Sequence, residues 1–353
     1  MKLAQRIESL HWLGEEIRIF LDKQEYKEWN HALKLAEQQN AWFTHDNIIM
    51  ALKGVEFWLQ KDTLQKWAAQ YSIPEENKKP ITVSVVMAGN IPMVGFHDFL
   101  CVLITGNILE AKLSSSDNIL LPFLIKRLTE IEPHWKDYIK VVDKLSPALQ
   151  AVIATGSNNT AMHFEHYFKK VPHIIRRNRN GIGVLNGKET EQELSELGKD
   201  IFTYFGLGCR NVSKVYVPEG YEFGNFFRAI EKYGDVLKHN KYANNYTYNR
   251  TIYLMDGKVF TDNNFFAVIE NKQISSPIAV LHFEYYKDLQ ELTTELLEHK
   301  EQIQCIVASK EVTKQLGNIA IPILEFGHTQ SPGLTDYADG VDVIKFILGQ
   351  SRS

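Results

Sequence analysis

Cys209 stands in the stretch "YFGLGCRNVSK" (204–214), behind Gly206 and Gly208 and ahead of Arg-Asn. A nucleophilic cysteine has to be reachable, ionisable and closely approached by its substrate, and glycines permit the tight backbone that this requires. The other two cysteines have a different setting. Cys101 lies in "DFLCVLITG" and Cys305 in "QIQCIVAS", apolar runs in which a thiol behaves as a small core side chain. Three cysteines without paired spacing exclude a disulfide framework and a zinc-type cluster, so no metal is expected. Three further stretches offer small residues, backbone N–H groups and polar side chains at the start of a helix: "AGNIP" (88–92), "KLSSSDN" (112–118) and "ATGSNNT" (154–160). Helix N-termini carry partial positive charge, which suits phosphate, although each stretch also reads as an ordinary capped loop. No G-x-G-x-x-G run follows the first strand.

These residues need elements to position them. Residues 1–80 read as helical up to the polar, proline-bounded break "IPEENKKP" (73–80). From there the texture alternates. "ITVSVVMA" (81–88) is a β-branched strand, Pro92 opens a helix through "MVGFHDFLCVLIT" that stops at Gly106, and "ILEAKL" (108–113) is the next strand. "SSSDN" supplies caps for the helix "ILLPFLIKRLTEI". "QAVIATGS" (150–157) is a strand running into a turn, "NNTAMHFEHYFKK" a helix and "GIGVLNG" (181–187) a short strand. Thr190 and Glu193 form a capping-box pattern before "LSELGKDIFTYF", whose loop carries Cys209 towards the strand "SKVYVP" (213–218). Further on, "RTIYLMDG", "FFAVIE", "SPIAVLHF" and "QCIVAS" read as strands and "KDLQELTTELLEHK" as a helix.

Alternation of strand and helix is the pattern of a doubly wound α/β sheet, in which ligands bind beyond the carboxyl ends of the strands. The Asn-Gly-Lys-Glu-Thr run near 187 places a domain boundary there, so that the chain divides into 1–187, which includes the N-terminal helices, 188–330, which carries Cys209, and the C-terminal segment 331–353. The chain has 353 residues, with 43 acidic against 39 basic and a net charge of -4, which gives no footprint for nucleic acid. No stretch reaches the roughly 20 apolar residues of a membrane span. Arg6, Glu8, Glu15 and Glu16 interrupt any signal-peptide core, so a cytoplasmic location is the expectation.

The order of the motifs resembles the aldehyde dehydrogenase superfamily and, within it, acyl-CoA reductases of the LuxC type. In "AGNIPMVGFHDFLCVLITGNILEAKLSS" (88–115), Asn90, Pro92, Gly106, Asn107, Lys112 and Ser114 follow the family's sequence of a Pro-Trp-Asn-x-Pro segment, a Gly-Asn pair, a lysine and a serine. Thr155-Gly156-Ser157 matches its Thr-Gly-Ser turn, Gly206-Leu207-Gly208-Cys209 its nucleophile loop, and "FGHTQSPGL" (326–334) is similar to its C-terminal Phe-Gly…Ser-Gly segment with Pro332 inserted. "CRNVSK" and "DGVDVIKF" resemble the acyl-CoA reductase branch.

This resemblance implies an aldehyde-dehydrogenase-like fold, with a Rossmann-type cofactor domain and an α/β catalytic domain. It implies that Cys209 attacks an acyl-CoA thioester, that the Asn90 amide and the Cys209 N–H hold the oxyanion, and that a thioacyl-enzyme is reduced to fatty aldehyde. Lys112 would bind the adenosine ribose, Ser157 with Gly156 the pyrophosphate, and Ser114 and Ser115 a 2′-phosphate. NADPH is therefore expected, with NADH the alternative; an inward-turned Asp117 would oppose that preference. A homo-oligomer is also implied, and the acyl donor is acyl-CoA or, alternatively, a carrier or partner protein.

The departures sharpen the reading. The family's hydrolytic members carry a glutamate about thirty residues before the cysteine, where this chain reads "IIRRNRNG" (174–181), without a carboxylate. That favours transfer between thiols over hydrolysis. The basic residues Lys169, Lys170, Arg176, Arg177 and Arg179 form either a solvated edge or a contact for coenzyme A phosphates. "KQISSPIAV" (272–280) falls where the family has Glu-x-Phe-Gly-Pro, with no match for the glutamate. The aromatic stretches 220–234 and 265–266 read as channel lining or as core. A different class, a cysteine-dependent acyl transferase or thioesterase, would need a histidine base, for which His163, His166, His173 and His328 are candidates.

Overall fold

The computed structural model describes residues 1–23 and 26–350. The chain divides into two compact units, the first formed by Met1–Arg177 and completed by the chain from Pro332 onward, the second by Asn178–Ser331.

In the first unit, four helices precede the sheet: α1 (Leu3–Lys23), α2 (Lys27–Gln39), α3 (His45–Trp58) and α4 (Lys61–Ala68). Their apolar residues recur at helical spacing, and Leu10, Leu13, Ile17 and Phe20 of α1 are all fully buried. Then β1 (Thr82–Val86), α5 (Phe96–Ile104), β2 (Ile108–Lys112), α6 (Leu120–Ile131), β3 (Ile139–Val141), β4 (Ala151–Thr155), α7 (Asn158–Phe168) and β5 (His173–Arg176) alternate. Among the described residues the strands form one parallel sheet in the order β3-β2-β1-β4-β5. From β1 the chain winds one way and from β4 the other, so the switch point lies between β1 and β4. A closing helix, Val343–Gln350, adds Val343, Ile344 and Ile347 to the core shared by the sheet and the first four helices.

The second unit runs β6 (Asn180–Val184), α8 (Glu191–Phe202), β7 (Val212–Pro218), α9 (Gly224–Ile230), α10 (Asn240–Met255), β8 (Phe260–Asp262), β9 (Ala267–Glu270), β10 (Val280–Tyr286), α11 (Leu289–Glu298), β11 (Ile303–Ala308), α12 (Lys310–Leu316) and β12 (Ile323–Leu324). Its sheet has the order β12-β11-β6-β7-β10-β9-β8, parallel except for the β8–β9 pair at one edge. The capping box at Thr190 and Glu193 forms as the sequence predicts.

Three local expectations are corrected. The helix after β1 starts at Phe96 rather than at Pro92, because Met93 takes a left-handed φ of 55° that breaks the run. "SSSDN" caps nothing: Ile119 precedes α6 without a side-chain cap bond, and Asp117 instead accepts the N–H of Met93. "RTIYLMDG" is the end of α10 and not a strand. His239 caps the start of that helix, its ring accepting the Tyr242 N–H, and Tyr242 and Tyr246, one turn apart, are its buried residues. Propagating an existing helix requires less ordering than starting a strand, and this overrides the β-branched composition.

Candidate functional site

The expected cofactor residues all belong to the first unit and gather at the carboxyl edge of β2, β1 and β4. Lys112 is the last residue of β2, paired with Val86 of β1, and its carbonyl accepts the Met87 N–H at 3.0 Å. Asn90 follows on the exposed loop out of β1. Gly89 has no room for a side chain: a Cβ there would stand 2.6 Å from Ser114 Oγ and 3.2 Å from Asp117 Cβ, so the two loops touch. Gly156 and Ser157 leave β4 across the switch point. Ser157 caps α7 by accepting the Thr160 N–H, and a Cβ on Gly156 would meet Thr160 Cγ2 at 2.8 Å. Glycine-lined backbone and a capped helix start at a switch point are what a dinucleotide needs for close approach, so these residues fit such a group.

Asp117 does turn inward. It is only 8% exposed, its Oδ2 accepts the Met93 N–H at 2.7 Å, and burial pushes its carboxyl up to about 6. Its charge is thus spent on the backbone of the Asn90 loop. Sequence reasoning also missed two braces from the N-terminal helices: the side chains of Gln39 and Asn40 donate to the carbonyls of Ser115 and Ser116.

The basic run resolves into separate roles. Arg176 is buried and forks onto the Asp98 carboxylate of α5, with Nη2 to Oδ1 at 2.8 Å. Arg177 pairs with Glu165, and Arg179 with Glu301. Lys169 and Lys170 are exposed, as are His163 and His166 on α7. Among the described residues no group of three or more His, Cys, Asp or Glu side chains is placed to hold a metal, and no helix is long and apolar enough to cross a membrane.

Cys209 belongs to the second unit, between α8 and β7. It is partly exposed, whereas Cys101 and Cys305 are buried. Burial raises the thiol of Cys101 well above its ordinary range and pushes that of Cys305 up to about 12, which keeps both protonated at neutral pH. The approach to Cys209 is conformationally unusual. Tyr204, Phe205 and Gly206 have φ of 52°, 56° and 78°, and for the two aromatic residues a left-handed backbone costs about 1–3 kcal/mol each. Buried Asn211 holds this turn: its Oδ1 accepts the Gly208 N–H at 2.8 Å, and its Nδ2 donates to the carbonyls of Asp200 and Thr203, both at 2.8 Å. Asp200, also buried, accepts the N–H groups of Gly327 and Thr329 at 2.6 and 3.0 Å, which ties "FGHTQ" to the helix before the cysteine.

The segment after β9 is anchored just as firmly. Lys214 Nζ, Ser213 Oγ and His282 Nδ1 donate to the successive carbonyls of Lys272, Ile274 and Gln273 at 2.9, 2.7 and 2.9 Å. Beside Gly206, Phe202, Phe205, Tyr242, Phe266 and Ile278 line a cavity of about 20 Å³, room for a single water. A larger polar cleft of about 610 Å³ lies past the carboxyl ends of β6 and β11, at the opposite end of the sheet from Cys209. Its lining includes the Lys310–Glu325 and Lys188–Glu311 pairs.

A parallel five-stranded sheet with a switch-point ledge, followed by a second α/β unit with a cysteine on the loop between α8 and β7, has the fold of the aldehyde dehydrogenases. An NAD+ complex of aldehyde dehydrogenase from Bacillus cereus aligns with TM-score 0.66 at 12% identity, over 92% of this chain and 77% of that one. Aldehyde dehydrogenase 21 from Physcomitrella patens, in complex with the reaction product succinate, gives 0.69 at 13%, over 99% and 84%. An E. coli NADP-dependent enzyme gives 0.65 at 12%, over 92% and 78%. No curated protein matches the chain. The family model described as acyl-CoA reductase (LuxC) matches residues 2–316. The chain belongs to the LuxC acyl-CoA reductase family, and it is an oxidoreductase.

Proposed function

We propose that the protein reduces a long-chain acyl-CoA to the fatty aldehyde with NADPH, through a thioester on Cys209. The observation that supports this most is the setting of Cys209, the one cysteine not buried, on a glycine-bracketed loop whose turn is locked by Asn211. The Cys209 thiol gives up its proton, the thiolate attacks the thioester carbonyl, the C–S bond to coenzyme A breaks, and coenzyme A leaves as a thiolate that takes up a proton in place of the one released. The Cys209 N–H and the Asn90 amide donate to the oxygen that becomes negative during attack. Lys112 and Ser157 would hold the nicotinamide cofactor, which supplies the hydride that turns the thioacyl group into aldehyde.

The preference for NADPH is supported by Ser114 and Ser115 after Lys112, which can donate hydrogen bonds to a 2′-phosphate; the inward turn of Asp117 onto the Met93 N–H weighs against it. With only about 20 Å³ free beside Gly206, the acyl chain lies outside that cavity. Two structural neighbours are an NAD+ complex and an NADP-dependent enzyme, in line with a nicotinamide cofactor here.

The test follows NADPH absorbance with hexadecanoyl-CoA, in the wild type and in Cys209→Ser. Cofactor loss with aldehyde formation, abolished by the substitution, is the expected result. Coenzyme A release without cofactor loss would replace the reductase reading with an acyl transferase or thioesterase. Activity only with an acylated carrier or partner protein would move the donor from acyl-CoA to that protein.

A further inference from the structure

Asn211 does more than fill space. It is 1% exposed, and both ends of its amide are used. The Nδ2 donates to the carbonyls of Asp200, Ile201 and Thr203, at the end of α8 and its exit. The Oδ1 takes the Gly208 N–H at 2.8 Å, and the Asn211 backbone N–H donates to the Gly208 carbonyl at 3.0 Å. Gly208 is therefore gripped on both sides by one residue. The carbonyl of Gly208 and the N–H of Cys209 belong to the same planar peptide group and point in opposite directions. Holding that carbonyl therefore fixes where the Cys209 N–H is aimed. The same amide holds the chain on both sides of the left-handed run at Tyr204 and Phe205, at Thr203 and at Gly208.

We infer that Asn211 is a positioning residue for the acylation step: it aims the Cys209 backbone N–H at the place where the oxyanion forms. This rests on the reading of Cys209 as the acyl-accepting nucleophile. No neighbouring residue type replaces it. An aspartate would set a second acceptor against three carbonyls, and a serine spans only one of the contacts.

The experiment compares two reactions of Cys209 in the full chain. One is the burst of coenzyme A released from hexadecanoyl-CoA without nicotinamide cofactor, which passes through an oxyanion. The other is alkylation by iodoacetamide across pH 6–10, which needs the thiolate but forms no oxyanion. Both are normalised to the number of native Cys209 thiols in wild type, Asn211→Ala and Asn211→Ser. The burst rate is expected to fall about 100- to 1000-fold, with alkylation changed by less than about tenfold. A burst that keeps its rate overturns the inference, and so does a burst that falls only in step with alkylation and melting temperature.

Where Asn211→Ala fails to fold, Asn211→Ser combined with Phe205→Gly removes the strain as well, since glycine accepts positive φ. That variant should regain melting temperature and keep the slow burst; a burst that recovers with stability overturns the inference. A wild type without a burst, or a Cys209→Ser that retains one, instead refutes the nucleophile itself and is distinguished by involving no change at 211.

Discussion

At the scale of single residues, Asp117 gives the clearest pH signature. Its carboxyl loses water on folding and gains one N–H in return, so its folded value rises from 3.8 to about 6. Between those values the folded chain keeps a proton that the unfolded chain has released. Stability on this account is higher below pH 3.8, falls as pH rises through the window and stays lower above 6, by about 3 kcal/mol. Asp117→Asn retains an acceptor for Met93 and removes the charge. Urea denaturation should find it more stable than wild type at pH 8, with the gap closing at pH 4; equal stability at pH 8 would refute the account. Asp98 and Arg176 neutralise each other in a buried fork. Asp98→Ala leaves the guanidinium stranded and should cost about 3–5 kcal/mol, while Asp98→Leu with Arg176→Met should recover most of that loss. The sequence displays Arg176 only as one member of a basic run, since its partner lies 78 residues away and no periodicity links the two.

At the scale of elements, the parallel strands and capped helices up to β7 are legible because each carries its own signal: β-branched apolar runs, a capping box, a Thr-Gly-Ser turn. What escapes is short or borrowed. β3, β8 and β12 are two or three residues long, and α10 hides its length in an asparagine-rich start. The loops at the carboxyl edge of β2, β1 and β4 and Cys209 are visible as residues, whereas their braces, Gln39, Asn40, Asp200 and Asn211, act by side-chain contacts to backbone that no sequence spacing announces. Packing of strand against loop makes a prediction here. A Cβ on Gly181 of β6 would stand 2.6 Å from the Arg210 carbonyl oxygen, beside Cys209. Gly181→Ala should lower stability by about 1–3 kcal/mol and, on the proposed role of Cys209, slow coenzyme A release, because the backbone that must yield is that of the Cys209 loop. Gly54, inside α3 with nothing within 4 Å of its added Cβ, is the converse case. Gly54→Ala should raise stability by about 0.5–1 kcal/mol without changing the rate. A melting curve and one kinetic trace for each variant decide both.

At the scale of the whole molecule, the N-terminal helices acquire a purpose. They form the dock for the returning end of the chain. Trp58 donates to the Pro332 carbonyl at 2.7 Å, Trp67 to the Tyr337 hydroxyl at 3.0 Å, and Tyr71 shares a hydrogen bond with Tyr337 at 2.6 Å while reaching Asp342. Tyr337→Phe leaves the buried indole N–H of Trp67 without an acceptor, which should cost about 1–3 kcal/mol in thermal or urea unfolding. An unchanged midpoint would mean that the apolar contacts alone hold this segment.

The chain leaves the first unit at Arg177 and returns to it at Pro332, and this has a consequence for manufacture. During synthesis the second unit, continuous in sequence, is complete as soon as Ser331 has emerged. The first unit, although begun earlier, must wait with its apolar seam open until Leu334, Tyr337, Val343, Ile344 and Ile347 arrive. Of the two units, the one begun first is the one finished last, and a chaperone present during that interval would find its target in the half-built layer of helices α1 to α4.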